Sequence, residues 1–169
     1  DNSKLDIVSD ICVIPEPDAS FDAVLCTEVL EHLPEPVAAV REFARLLKPR
    51  GVMLLTAPFW SLTHFAPYHY CTGFNRYWYE RWLPECGFQI AELTPNGNFF
   101  DYIAQEVSRF PRKASKYAPG APRPGRRTRF LRDLAHRVML NWLAELSAAD
   151  TGSSELLCFG YHVRAVKLT

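Results

Sequence analysis

The stretch Phe21–Pro58, FDAVLCTEVLEHLPEPVAAVREFARLLKPRGVMLLTAP, leaves the chain few folds to choose from. Ala23 to Cys26 is a short apolar run, which predicts a strand buried on both faces. From Pro36 the apolar period changes. Val37, Val40, Ala44 and Leu47 recur at helical spacing, with Arg41, Glu42, Arg45 and Lys48 expected to face outward. Pro49 and Gly51 stop that helix, and Val52–Thr56 is a second apolar strand closed by Pro58. Strand, crossover helix and strand predict a right-handed βαβ unit, hence a parallel sheet in an α/β fold.

Composition narrows the class further. The chain has 169 residues, the size of a single domain. Apolar residues make up 48% and charged residues 22%, a globular balance. Lys plus Arg number 19 and Asp plus Glu 19, so net charge argues neither for nor against nucleic acid. Five scattered cysteines with no CxxC pair predict reduced thiols, a cytoplasmic location and no disulfide frame. No apolar run reaches membrane-spanning length.

Beyond Pro58 the composition is unusual: FWSLTHFAPYHYCTGFNRYWYERW is rich in aromatics and histidines. Phe74–Glu85 reads as a helix interrupted at Pro84, Phe88–Leu93 as a strand, and Pro95–Asn98 as a turn into a helix ending near Phe110. Residues 111–127, PRKASKYAPGAPRPGRR, read as a flexible basic linker. An amphipathic helix at 128–148 follows, with Phe130, Leu134, Val138 and Trp142 in one row and a strongly basic first half. A helix of that kind suits contact with an anionic membrane or a lipid-linked substrate, or covers a packed core. Glu155–Leu168 predicts a last, antiparallel strand inserted beside the strand ending at Pro58.

In an open α/β sheet, ligands bind beyond the carboxyl ends of the strands. Thr27 and Glu28 stand there, and His32 follows as a candidate base. The competing reading is that Glu28, Glu31 and His32 cap the next helix.

The ordered set FDAVLCTEVLEH, LPEP, LLKPRG and a strand ending in proline resembles the class I S-adenosylmethionine-dependent methyltransferases. It is most similar to the small-molecule group with the pattern FDxVxxxEVLEH…LxPGG, over Leu5 to about Leu93. Arg50 replaces the first of that group's two glycines, a change expected to touch only a surface turn. The resemblance implies a Rossmann-like, three-layer αβα sheet, here as its strands 3 to 7 in a single partial domain. Leu5–Val8 would be the third strand. The eight glycines include no GxG pair, so the glycine turn that cradles the cofactor is absent. Strands 1 and 2 would lie upstream of Asp1, and these residues alone would hold cofactor poorly.

The implied cofactor is S-adenosylmethionine, with Asp10 and Ile11 reading the adenine beside Thr27 and Glu28. The implied partner is a small-molecule acceptor, such as a sugar, glycolipid or other metabolite, methylated on oxygen. His32 and His69 are the candidate bases, and His64, Tyr68, Tyr70 and Asn75 the candidate acceptor contacts. Glu28, Glu31 and His32, with the later His69, are also similar to the metal-dependent 2′-O-methyltransferases of small RNAs, although no metal is included among the expected sites. Two other functions compete: a non-catalytic scaffold derived from a methyltransferase, and another nucleotide-binding α/β enzyme such as an oxidoreductase.

Overall fold

The structure is a computed structural model and describes residues 6–169. It divides into two compact units, one of residues up to Asn96 together with Phe159–Thr169, the other Gly97–Cys158. Among the described residues, no helix is long and apolar enough to cross a membrane.

The first unit is built on a four-stranded sheet. Strand β1 (Phe21–Thr27) pairs in parallel with β2 (Leu47–Pro58), and helix α1 (Pro36–Leu46) connects them. Helix α2 (Arg76–Glu85) leads to β3 (Phe88–Asn96), and β4 (Gly160–Lys167) returns antiparallel to both β2 and β3. The order is β1-β2-β4-β3, so the tail strand does insert beside the strand that ends at Pro58. Pairing puts Cys26, Leu55 and Val163 in one cross-strand row and Met53 with Ala165 in the next. All five are buried, as are Ala39, Val40, Phe43 and Leu46 of α1 and Tyr79 and Leu83 of α2. Tyr79 meets Tyr161 of β4 edge-on at 5.8 Å, which fixes α2 over this face. The opposite face is open at Leu25 and Leu54, 72% and 43% exposed.

Several expectations are corrected. Strand β1 is not buried on both faces: its alternate residues look to the open side, and it is an edge strand among the described residues. Asp6–Val8 form no strand, and Val8 is 64% exposed; Leu5 lies outside the described residues. Glu42 and Arg45 do not merely face solvent. Arg45 donates to Glu42, to Asp18 and to the carbonyls of Ile14 and Glu16, while Glu42 accepts from the Ile14 N–H. The pair thereby clamps residues 14–18 onto α1, and Arg45's hydrogen bonds hold the Glu42 carboxyl below the usual carboxylate range.

Strand β2 also starts earlier than Val52. Its pairing jumps from Phe21↔Leu47 to Ala23↔Val52, so Lys48–Gly51 bulge out of the ladder. Arg50 sits at the tip with φ 66°, a left-handed conformation that disfavours any Cβ. Arg50→Gly is therefore expected to raise stability by about 0.5–1 kcal/mol, the left-handed strain less the extra chain entropy of glycine. The check is a thermal melt, and a lowered midpoint would show that the arginine side chain contributes more than its backbone costs.

In the second unit, helix α3 (Phe99–Tyr117) packs against α4 (Arg126–Ala148). Asn98 caps α3 in a reciprocal capping box with Asp101, which in turn accepts from Ser147 of α4. The expected linker from residue 111 is corrected: α3 runs through Pro111 to Tyr117. Proline inside a helix strands the carbonyl four residues before it. Here that carbonyl, on Val107, accepts instead from His136 Nε2 of α4 at 2.9 Å.

Candidate functional site: a buried glutamate between histidines

Beyond Thr27 the chain turns sharply. Glu28 takes φ 53°, and its N–H donates to the Thr56 carbonyl of β2. Its carboxylate accepts from Thr56 Oγ1 at 2.9 Å. A single 3₁₀ turn, Leu30–His32, follows and buries Leu30 and Glu31. Because that turn starts only at Leu30, Glu28 does not join Glu31 and His32 on one turn.

The segment Phe59–Asn75 folds back over this turn. Both the Tyr70 and Cys71 N–H groups donate to the Glu31 carbonyl, at 2.9 and 3.1 Å. The Tyr68 carbonyl sits 2.5 Å from His32 Nδ1, and the Leu62 carbonyl 2.9 Å from His64 Nδ1. A carbonyl only accepts, so each Nδ1 carries the proton and each neutral ring keeps a bare Nε2. Those two nitrogens lie 3.6 and 3.8 Å from one oxygen, Glu31 Oε1. His69 completes the group, with ring centroids 5.0 Å from His64 and 6.1 Å from His32. Ser61 donates its hydroxyl proton to the Thr72 carbonyl, so it accepts from His69 Nε2–H.

Glu31 is 1% exposed, and its Oε2 has no hydrogen-bond partner. Burial pushes its carboxyl above the usual range, and the charge of Glu28 adds to the rise; its own backbone N–H, and His32 and His64 when they are protonated, act in the opposite direction. With both rings neutral, a buried carboxylate facing two lone pairs is an unfinished arrangement. It calls for a positive species between the groups, either a transferable proton or a divalent cation. One ligand atom each from Glu31, His32 and His64 lies within 4.8 Å of the others. Two imidazole nitrogens and a carboxylate oxygen suit zinc, iron or manganese, and both rings have their far nitrogen fixed by a carbonyl, as metal-bound imidazoles do. The donor set fits a metal.

The remaining expected site residues divide. Ile11 and Thr27 line a groove of about 540 Å³ along β1, with Ile7, Val24, Phe43 and Leu46. Asp10 is exposed and shapes a turn, accepting from the Cys12 and Val13 N–H groups. Tyr68 and Tyr70 fasten the histidine turn through their backbones while their side chains stay exposed. Asn75 caps α2, its side-chain oxygen accepting from the Trp78 N–H. Glu31 is the residue that sequence reasoning undervalued. None of the five cysteines is in a disulfide, and burial together with Glu31 and Glu28 pushes the Cys26 thiol up to about 11.

Comparison with known proteins bears on the family and the fold. The family described as "Methyltransferase domain" matches residues 2–55. A ubiquinone biosynthesis O-methyltransferase of Xanthomonas oryzae pv. oryzae is 56% identical over 41 residues, which are 24% of this chain and 17% of the relative. Its counterpart in Xanthomonas campestris pv. campestris is 54% identical over the same share. The chain thus spans about a sixth of the length of these curated relatives. Among solved structures, a Galdieria sulphuraria protein provisionally named a sarcosine dimethylglycine methyltransferase superposes with a TM-score of 0.53. The identity is 19%, over 95% of this chain and 58% of that one. The [4+2]-cyclase SpnF gives 0.51 at 18% identity, over 95% of this chain and 54% of its own. At these identities the likeness shows the fold alone, and a cyclase among the neighbours makes that limit concrete. The chain therefore has the Rossmann-like α/β fold of the class I methyltransferases, with the methyltransferase-domain match confined to its first third.

Proposed function

We propose that this chain carries the acceptor side and part of the cofactor side of an S-adenosylmethionine-dependent methyltransferase acting on a hydroxyl of a small molecule. The observation that carries the reading is the Glu31–His32–His64 cluster at the carboxyl end of the parallel strand pair, the edge where α/β sheets bind ligands. The relatives' names add O-methylation as the class of transfer. An alcohol or phenol of a sugar, glycolipid or other metabolite is the acceptor proposed. Five cysteines outside any disulfide fit a reducing, cytoplasmic setting.

The cofactor supplies an electrophilic methyl group on a sulfonium. Transfer moves an acceptor oxygen lone pair onto that methyl carbon while the carbon–sulfur bond breaks toward sulfur, and the acceptor loses its hydroxyl proton. His32 Nε2 and His64 Nε2 are the bare nitrogens placed to take it, and a histidine base is matched to neutral pH. Glu31 Oε1 then faces the imidazolium that forms. A divalent ion held by Glu31, His32 and His64 would instead lower the pKa of a bound hydroxyl. Tyr68 and Leu62 orient the rings in either case, through their carbonyls. On the cofactor side, Ile11 and Thr27 line the groove, and Asp10 and Glu28, next to them in the chain, are the carboxylates proposed to meet the cofactor.

The test is calorimetric titration of the native gene product with S-adenosylhomocysteine. Binding is expected, weakened by about 1–3 kcal/mol in Asp10→Ala, the cost of a lost charged hydrogen bond. No heat at millimolar ligand would overturn the assignment. A scaffold without chemistry has no need of two bare imidazole nitrogens around a buried acid.

A further inference from the structure

Helix α4 presents two rows on opposite sides, an inner mixed one and an outer apolar one. The inner one, at His136, Leu140, Leu143 and Ser147, is buried or half-buried, and His136 and Ser147 bond to α3 or its cap. The other, at Phe130, Leu134, Val138 and Trp142 with Leu131 alongside, is 43–61% exposed. Four-residue spacing keeps this second row on one side, roughly opposite the first. Large apolar residues repeated over four turns of one helix make a continuous patch, unlike the singly scattered ones that surfaces tolerate.

Charge decides what would cover it. Residues 110–142 hold nine of the chain's 19 Lys and Arg but only one of its 19 Asp and Glu, Asp133. The rest of the chain is correspondingly acidic. None of the nine cations takes part in an ion pair among the described residues, so their charge is not neutralised locally. Arg127 continues the apolar row toward its amino end, and Arg126 and Arg137 flank it. Two copies meeting on this face would bring two such sets of cations together. A nucleic acid would satisfy the arginines but leave phenylalanine, leucine and valine against phosphate. An anionic bilayer answers both features at once.

We propose that α4 docks on an anionic lipid surface. It lies in the plane of the interface, with Phe130, Leu134, Val138 and Trp142 at the acyl boundary and the arginines at lipid phosphates. The helix cannot cross the bilayer, and it does not need to. The proposal is independent of the methyl-transfer reading, since it draws on no residue of the histidine cluster.

The experiment is co-sedimentation of the native protein with phosphatidylcholine vesicles, with and without about 30 mol % phosphatidylglycerol. Binding is expected on the anionic vesicles and to be at least roughly tenfold weaker on neutral ones, with a further fall in high salt. Val138→Gln with Trp142→Gln should cut anionic binding by roughly tenfold or more, as should Arg127→Gln with Arg137→Gln. All four positions are exposed and glutamine is a good helix former, so circular dichroism should show the fold intact. The proposal is overturned by absence of binding to anionic vesicles, or by binding that either double variant retains in full. It is equally overturned if the apolar variant instead turns a dimer into a monomer, or if duplex DNA binds as tightly as the vesicles do.

Discussion

Glu31→Gln is expected to lower methyl transfer by about 10²–10⁴-fold, the range for loss of a general acid–base device, without unfolding the protein. The same substitution should stabilise the fold at neutral pH, by about 1 kcal/mol, the scale of one hydrogen bond to a buried group. The reason is local. The wild-type carboxylate is buried with one oxygen unpartnered and the other facing two bare imidazole nitrogens. With both rings neutral, carboxylate and lone pair are both acceptors, so neither helps the other. A glutamine amide in the same place donates to the nitrogens. Glu31 has a folded-state pKa raised above its unfolded one, so the folded protein binds more protons in that window. Wild-type stability from this group is therefore full below the ordinary carboxylate range and declines as pH rises toward the raised value. Melts in chelator should show the variant's advantage growing as pH rises above the ordinary carboxylate range. Added zinc or manganese should raise the midpoint of the wild type alone if the three ligands bind it. A variant that keeps its turnover and melts lower would remove Glu31 from the chemistry and make it a structural acid.

How much of this was legible in the sequence depends on how far apart the deciding atoms lie. The βαβ unit was legible because the apolar period itself changes at Pro36, and α1 and β2 stand close to where that change puts them. The extension of α3 through Pro111 was not. A local rule correctly says that proline costs a helix its hydrogen bond, and the repair comes from His136, across the helix pair. Glu42 and Arg45 read as a solvated face because helical spacing says nothing about residues 14–18 reaching back to them.

The site divides along the same line. The density of histidine and aromatic residues after Pro58 marked the right segment, and His32, His64 and His69 do meet. What could not be read was the weighting among them. Glu31 resembles a helix-capping acid by position, and only the Tyr70 and Cys71 N–H groups, reaching its carbonyl from far along the chain, reveal it as the buried centre. Asn75 has a local role that the aromatic composition around it hides: it caps α2.

Gly73→Ala should be the most damaging small change in the first unit. Gly73 has φ 151°, and a Cβ there would fall 2.3 Å from the Phe59 carbonyl oxygen and 2.5 Å from that of Pro58. Both obstacles are backbone, so no side chain can rotate away. Nor can the segment drift freely, because it is pinned on either side of the glycine: Thr72 accepts from Ser61, and the Phe74 N–H donates to Pro58. Relief must break those bonds. They close the loop that carries His64 and His69 and the Tyr68 carbonyl that orients His32. A loss of about 3–5 kcal/mol is expected, the range reserved for strain combined with steric conflict. Gly87→Ala is the matched control, since its φ of 85° imposes strain but its Cβ would meet nothing within 4 Å. That variant should lose only about 1–2 kcal/mol. Thermal melts separate the two, and calorimetry with S-adenosylhomocysteine locates the damage. The groove at Ile11 and Thr27 shares no residue with the loop, so Gly73→Ala protein that remains folded should keep cofactor affinity while losing turnover. Equal melting points for the two alanine variants would mean that the loop yields where its hydrogen bonds say it should not.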